Sequence, residues 1–230
     1  MTLPIFPSRF FLGLSAAVLL AACAGGPPPP DWQMNAKSSL ERSVAAYLTG
    51  DTRVETLEFE RARSEIARTG RIDLLARAEL TRCAGRIASL VLDECTGFEK
   101  LRQDADDPER AYADFLAGRI QPQAIPLLPQ QYRVLAGANS DAAANATWQE
   151  IKDPLSKLIA AGVLLRTGRA APSVMALSVD TASSQGWRRP LLGWLGIQAL
   201  RAEQAGDASE AQRLRRRIEF VQGETDASRR

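Results

Sequence analysis

The sequence predicts an all-α protein built from antiparallel helical hairpins, and three observations carry that expectation. The 230-residue chain is 45% hydrophobic and 24% charged with 6% aromatic residues, and its many Ala, Leu, Arg and Glu residues favour helices over strands. Apolar residues recur at three- and four-residue spacing along most of its length. Gly-Asp, Thr-Gly and Asp-Pro steps punctuate those stripes, separated by the short connections expected between antiparallel helices.

In chain order, Leu40, Val44, Tyr47 and Leu48 form a first stripe that ends at Gly50-Asp51, and Phe59, Ala62 and Ile66 a second that ends at Thr69-Gly70. A third helix is expected over 73–91, where Leu80, Cys83, Ile87 and Leu90 share one face. Asp107-Pro108-Glu109 reads as an N-cap, a proline at the first helical position and an acidic first turn, opening a helix to about Ala117. The prolines of residues 121–137 predict an irregular stretch and then a short helix. Small polar residues over 137–146 form either a linker between two halves or a helix starting at Ser140. Helices follow near 155–167, opened by Asp153-Pro154, then 172–184, 188–205 and 208–221. In the last pair Leu191, Leu195, Ala199 and Ala202 face Ala211, Leu214, Ile218 and Val221 in one apolar seam.

The chain opens differently. Residues 10–22 are an apolar run shorter than the roughly 20 residues of a membrane span, with Arg9 in front and small residues behind, as in a signal peptide. Leu20-Ala21-Ala22-Cys23 resembles the lipobox of bacterial lipoproteins. That resemblance implies cleavage before Cys23, diacylglycerol on its thiol and an acyl chain on its new amine, with Ala24 directing the product to the outer membrane. Several acyl chains anchor stably where one is reversible. Residues 1–22 are then a signal peptide and 23–36 a lipidated cysteine with a Gly/Pro-rich linker, whose Pro27 to Pro30 favour extended polyproline II and a standoff of about 25 Å. The helical regions are 37–136 and 137–222, and 223–230 is expected as a disordered tail.

Cys83 and Cys95 remain, an even pair in a chain sent to an oxidising compartment, and they are read as a disulfide. One continuous helix would separate them by about 18 Å. The bond therefore requires the helix to end near Val91 and the chain to double back through Leu92-Asp93-Glu94. The alternative is two buried free thiols.

The helical pattern also resembles tetratricopeptide repeats. Ala199 lies seven residues before Gly206 of the Gly206-Asp207 turn and Ala211 five after it; Phe59 and Ala62 lie nine and twelve after Gly50, all as in that family. Glu55 stands where the family has alanine, and Gly168 precedes Gly206 by 38 residues rather than 34. The resemblance implies stacked hairpins in an α-solenoid; an irregular helical bundle is the other arrangement of the same elements.

The composition narrows the chemistry. The chain contains no histidine, which removes the commonest general base and metal ligand. C-x-x-C, G-x-G-x-x-G and P-loop motifs are missing, so no metal and no cofactor are expected, and a net charge of +2 gives no nucleic-acid signature. Asp104, Asp106 and Asp107 are explained by capping of the following helix. On the last helix Arg213, Arg216 and Arg217 share a face within reach of Glu210 and Glu219, forming either a solvated surface or a contact for an acidic partner or lipid A phosphates. Trp187 is the other candidate contact, in a Gln185-Gly186-Trp187-Arg188-Arg189 turn expected to be exposed.

These readings predict an outer-membrane lipoprotein facing the periplasm, not an enzyme, that binds a protein partner of the envelope through its helical surface. The alternatives are a peptidoglycan-acting enzyme using paired carboxylates and a structural or lipopolysaccharide-contacting lipoprotein.

Overall fold

The computed structural model describes residues 28–227, and all of their regular structure is helical. Cys23 and the expected signal peptide lie outside the described residues. The α-helices are α1 (Asp31–Thr49), α2 (Thr52–Ala67), α3 (Ile72–Ala88), α4 (Thr96–Glu99), α5 (Asp107–Leu116), α6 (Gln130–Ala136), α7 (Asp141–Gln149), α8 (Pro154–Arg166), α9 (Pro172–Ser184), α10 (Arg188–Gln204) and α11 (Ala208–Ala227). Short 3-10 helices occupy Arg102–Asp104 and Pro122–Leu127. Among the described residues no helix is long and apolar enough to cross a membrane.

Local chemistry sets the turns. Asp51, Ser140, Asp153 and Asp207 each accept a backbone N–H three residues on, capping α2, α7, α8 and α11. Gly50, Gly118, Gly168, Gly186 and Gly206 take positive φ just past a helix, where a Cβ would be strained. Each lets the chain reverse in two or three residues.

Several boundaries differ from expectation. α1 starts at Asp31, inside the expected linker 23–36, because Pro30 precedes it with preset φ and Asp31 complements the positive end of the helix. α5 is capped one residue early, at Asp106, whose side chain makes no capping bond; Pro108 then falls in the first turn. The segment 137–146 is not a linker throughout, since Ser140 starts α7. α11 runs to Ala227 with no proline to stop it, so residues 223–227 are helical and not part of a disordered tail.

The helices close on one another instead of stacking in chain order. Hairpins α1–α2 and α10–α11 pack internally, α8, α9 and α10 pack in series, and two long-range contacts join the ends: α3 lies on α8 and α1 lies on α10. A solenoid repeat touches only its neighbours. This arrangement is therefore a closed, irregular bundle. One core runs from Ala76 through Phe115, Trp148 and Leu158 to Trp194 and Leu214, so regions 37–136 and 137–222 share it. A smaller cluster of Ala36, Phe59, Ile66 and Ala78 joins α1, α2 and α3.

The end of α3 is where the two regions meet. The helix stops at Ala88, three residues before the expected Val91, and Leu90 takes a left-handed φ of 61°. Leu90 N–H bonds to the Ile87 carbonyl at 3.0 Å and Val91 N–H to the Arg86 carbonyl at 3.0 Å, a closing turn of the kind glycine usually makes. A leucine there costs about 1–2 kcal/mol. Packing offsets it: fully buried Trp194 donates its indole N–H to the Ala88 carbonyl at 3.1 Å. A Cβ on Gly162 of α8 would meet the Ile87 carbonyl oxygen at 2.5 Å, and one on Gly193 of α10 would meet that of Ser89 at 2.6 Å.

Those distances separate two glycines of the same helix. Gly193→Ala is expected to destabilise the protein by about 1–3 kcal/mol through overpacking. Gly196 has nothing within 4 Å of its would-be Cβ, so Gly196→Ala is expected to stabilise by up to about 1 kcal/mol through helix propensity. Urea unfolding of the two variants followed by circular dichroism checks both signs.

Candidate functional site

The N-terminal helices bury four glutamates: Glu55, Glu58, Glu79 and Glu109. An arginine covers each from the solvent side. Arg82 reaches Glu55 at 2.7 Å, and its guanidinium also lies 4.4 Å from the centre of the Phe59 ring. Arg42 and Arg61 hold Glu58 at 3.0 and 2.6 Å, Arg63 approaches Glu79 at 3.2 Å, and Arg77 holds Glu109. An uncovered carboxylate in these positions would cost several kcal/mol. Glu55, at 2% exposure, is the most deeply buried of the four.

The carboxylates differ electrostatically. Burial pushes the Glu79 carboxyl up, against the opposing pull of Arg63 and Arg82. The hydrogen bond from Arg42 holds Glu58 below the ordinary carboxylate range despite some desolvation. Burial also pushes the Tyr112 hydroxyl well up, and that of Tyr132 less so. The two rings stack with centroids 5.9 Å apart, and Phe115 lies 4.9 Å from Tyr132.

Two clefts open among these groups. The first, of about 490 Å³, lies beside Cys83 and Cys95 and is polar, lined by Arg63, Glu79, Arg82, Arg86, Asp93, Glu94 and Lys100. Gly97 forms one wall, and a side chain there would run into the Glu79 carboxylate. The second, of about 370 Å³, is a groove between α3, α5 and the segment Leu127–Pro129. Its floor is Leu80, Leu128 and Tyr112, its rim Pro108, Leu127 and Pro129, and its polar groups Arg77, Thr81, Glu109 and Arg133. Arg77 directs both Nε and Nη2 to Glu109 Oε1, at 2.9 and 2.6 Å, leaving Oε2 buried without a hydrogen bond. An oxygen in that state costs about 1–3 kcal/mol.

The residues singled out from sequence are placed as follows. Cys83 and Cys95 come together at disulfide distance, with Cα atoms 5.7 Å apart, as the doubling back after α3 requires. Trp187 is half-buried at the start of α10 and packs on the core, not exposed as expected. The neighbouring arginines reach back to the α1–α2 turn: Arg189 sits 4.4 Å over the Tyr47 ring, and Arg188 lies against Gly50. On α11, Arg213 is paired with Glu210 at 2.6 Å and Arg215 with Glu203 at 2.6 Å, while Arg216 and Arg217 make no ion pair among the described residues. Trp187, Arg213, Arg216 and Arg217 line neither cleft.

The buried glutamates were not singled out from sequence, although a signal exists. Glu55 precedes Phe59 and Ala62 by four and seven residues, Glu79 precedes Cys83 by four, and Glu109 precedes Ala113 and Leu116 by four and seven. Each is thus an acid inside an apolar stripe, a position that demands a cationic partner. Among the described residues no group of three or more acids and cysteines is placed to hold a metal ion. No family model, no curated protein and no solved structure matches the chain.

The opposite shifts of Glu58 and Glu79 give opposite pH dependences. The folded-state pKa of Glu58 is lowered, so its stabilisation is present above the ordinary carboxylate value and is lost as pH falls through the lowered value. Glu58→Gln is expected to destabilise at pH 7, by an amount that shrinks on acidification. The folded-state pKa of Glu79 is raised, so its ionisation penalty is absent in acid and grows as pH rises through the raised value. Glu79→Gln is expected to gain stability relative to the native chain between about pH 4 and 7. Urea midpoints measured across that range check both.

Proposed function

We propose that the protein is an outer-membrane lipoprotein facing the periplasm whose helical domain binds a protein partner of the envelope. The groove carries the binding part of this reading. It combines an apolar floor and rim with a few convergent polar groups, in the size range of ligand sites. The address rests on Leu20-Ala21-Ala22-Cys23 behind the apolar run 10–22, and the pair Cys83 and Cys95 supports it, because such bonds persist outside the reducing cytosol.

The helical domain starts at Asp31, which leaves residues 24–30 as the tether. In extended form those residues span about 20 Å. A tether of that length confines the domain to a layer near the lipid surface and raises its effective concentration toward partners there. The partner surface proposed here lies on α3 and α5, away from the turns Gly50-Asp51 and Gly206-Asp207.

Incorporation of radiolabelled palmitate, together with fractionation of the envelope, tests the anchor. The native chain is expected to take up label and to sediment with the outer membrane, and Cys23→Ala to lose the label and leave the outer-membrane fraction. An unlabelled native chain that fractionates like Cys23→Ala would contradict the reading.

A further inference from the structure

We propose that the polar cleft beside Cys83 and Cys95 is a thiol-exchange site, where an entering dithiol reduces the bond by attack on Cys95 and thereby loosens the junction of α3 with α8 and α10. Both cysteines line the cleft. Cys83, 7% exposed, is rooted in the core, whereas Cys95 is half-buried between exposed Asp93, Glu94 and Thr96 of the cleft wall. A disulfide that borders solvent exchanges more readily than one enclosed in a core.

Charge sets the direction of attack. Arg86 follows Cys83 by three residues on α3, which puts the two on one face, and like Lys100 it lines the cleft and makes no ion pair among the described residues. Glu79, one turn before Cys83, is covered by Arg63 at 3.2 Å. Asp93 and Glu94 stand just before Cys95, with only Arg119 near Glu94, at 4.0 Å. Cations stabilise a thiolate and carboxylates oppose one, so Cys83 is the better leaving group and Cys95 the sulfur attacked.

A thiolate of the dithiol bonds to Cys95 Sγ as the Cys83–Cys95 bond breaks, and the electron pair leaves on Cys83 Sγ. The second thiol, deprotonated, attacks its own partner sulfur in that mixed disulfide and releases the Cys95 thiolate. The dithiol gives up two electrons and two protons and becomes a disulfide; the two cysteines take both. The segment closed by the bond, 12 residues in sequence, contains the junction itself: the Ile87 and Ser89 carbonyls against Gly162 and Gly193, the Ala88 carbonyl bonded to Trp194, and left-handed Leu90. Opening it returns conformational freedom to that segment.

The test treats the purified full chain in detergent with dithiothreitol at neutral pH, alkylates the thiols formed and locates them by peptide mass spectrometry. The rate is expected to stay constant across urea concentrations below the unfolding transition, as direct attack on the folded chain requires. A rate that climbs with urea in step with global unfolding would overturn the proposal. Glutathione, a monothiol, is expected to be trapped mainly on Cys95; equal trapping or an excess on Cys83 would overturn the direction of attack. Arg86→Gln removes a cation that pairs with no acid and is expected to slow reduction about threefold or more, with an unchanged urea midpoint; reduction at the native rate would contradict the role of charge. After reduction the Trp194 indole N–H is expected to exchange with solvent about tenfold faster or more, by NMR, because its acceptor lies in the opened segment. Unchanged exchange would show that the bond does not act on the junction. None of these results moves the palmitate label, so a failure here is distinct from a failure of the lipoprotein reading.

Discussion

Three carbonyls at the end of α3 hold the two ends of the chain together. Those of Ile87 and Ser89 are approached so closely by α8 and α10 that only glycine fits opposite them, and that of Ala88 receives the Trp194 N–H. Helix ends leave carbonyls without intrahelical partners, and a buried one is costly unless something bonds it. Here the C-terminal half supplies the bond and the close packing together. The left-handed Leu90 follows from the same constraint, because the chain has to leave the helix abruptly to clear α10 and bring Cys95 back to Cys83.

Much of the helical pattern was legible because it is local. The stripes Leu40 to Leu48, Phe59 to Ile66 and Leu191 to Ala202 face the interior or its margin, and Gly50, Gly168 and Gly206 mark real ends. What the sequence hid was non-local. Nothing in α3 alone announces that Trp194, more than a hundred residues on, will cap it, so the stop at Ala88 was placed three residues late. Turn signals such as Gly50-Asp51 and Gly206-Asp207 are local and say nothing of α1 lying on α10. Trp187 looked exposed for the same reason, since the core it packs on comes from distant elements.

The site was less legible than the fold. Reading by residue type led to Arg213, Arg216 and Arg217 of α11, of which Arg213 is paired with a glutamate, whereas the polar groups with structural consequence are acids within apolar stripes on α2, α3 and α5. Glu55, Glu58, Glu79 and Glu109 each need an arginine, and each is served by one from a neighbouring helix, with Arg61 of the same helix added at Glu58. Covering buried carboxylates this way builds a rigid polar layer next to an apolar core. Among these glutamates only Glu109 has a fully buried oxygen without a hydrogen bond, and Glu109 is one of the residues lining the groove on which the binding reading depends.

If α3 joins the two regions as described, they have no separate stability. Native-state hydrogen exchange in low urea measures this directly, amide by amide. The slowest amides of α3, α8 and α10 are expected to open with one common free energy equal to that of global unfolding. A lower opening free energy shared by α1 to α5, with α8 to α11 still protected, would show two independent units and contradict the account.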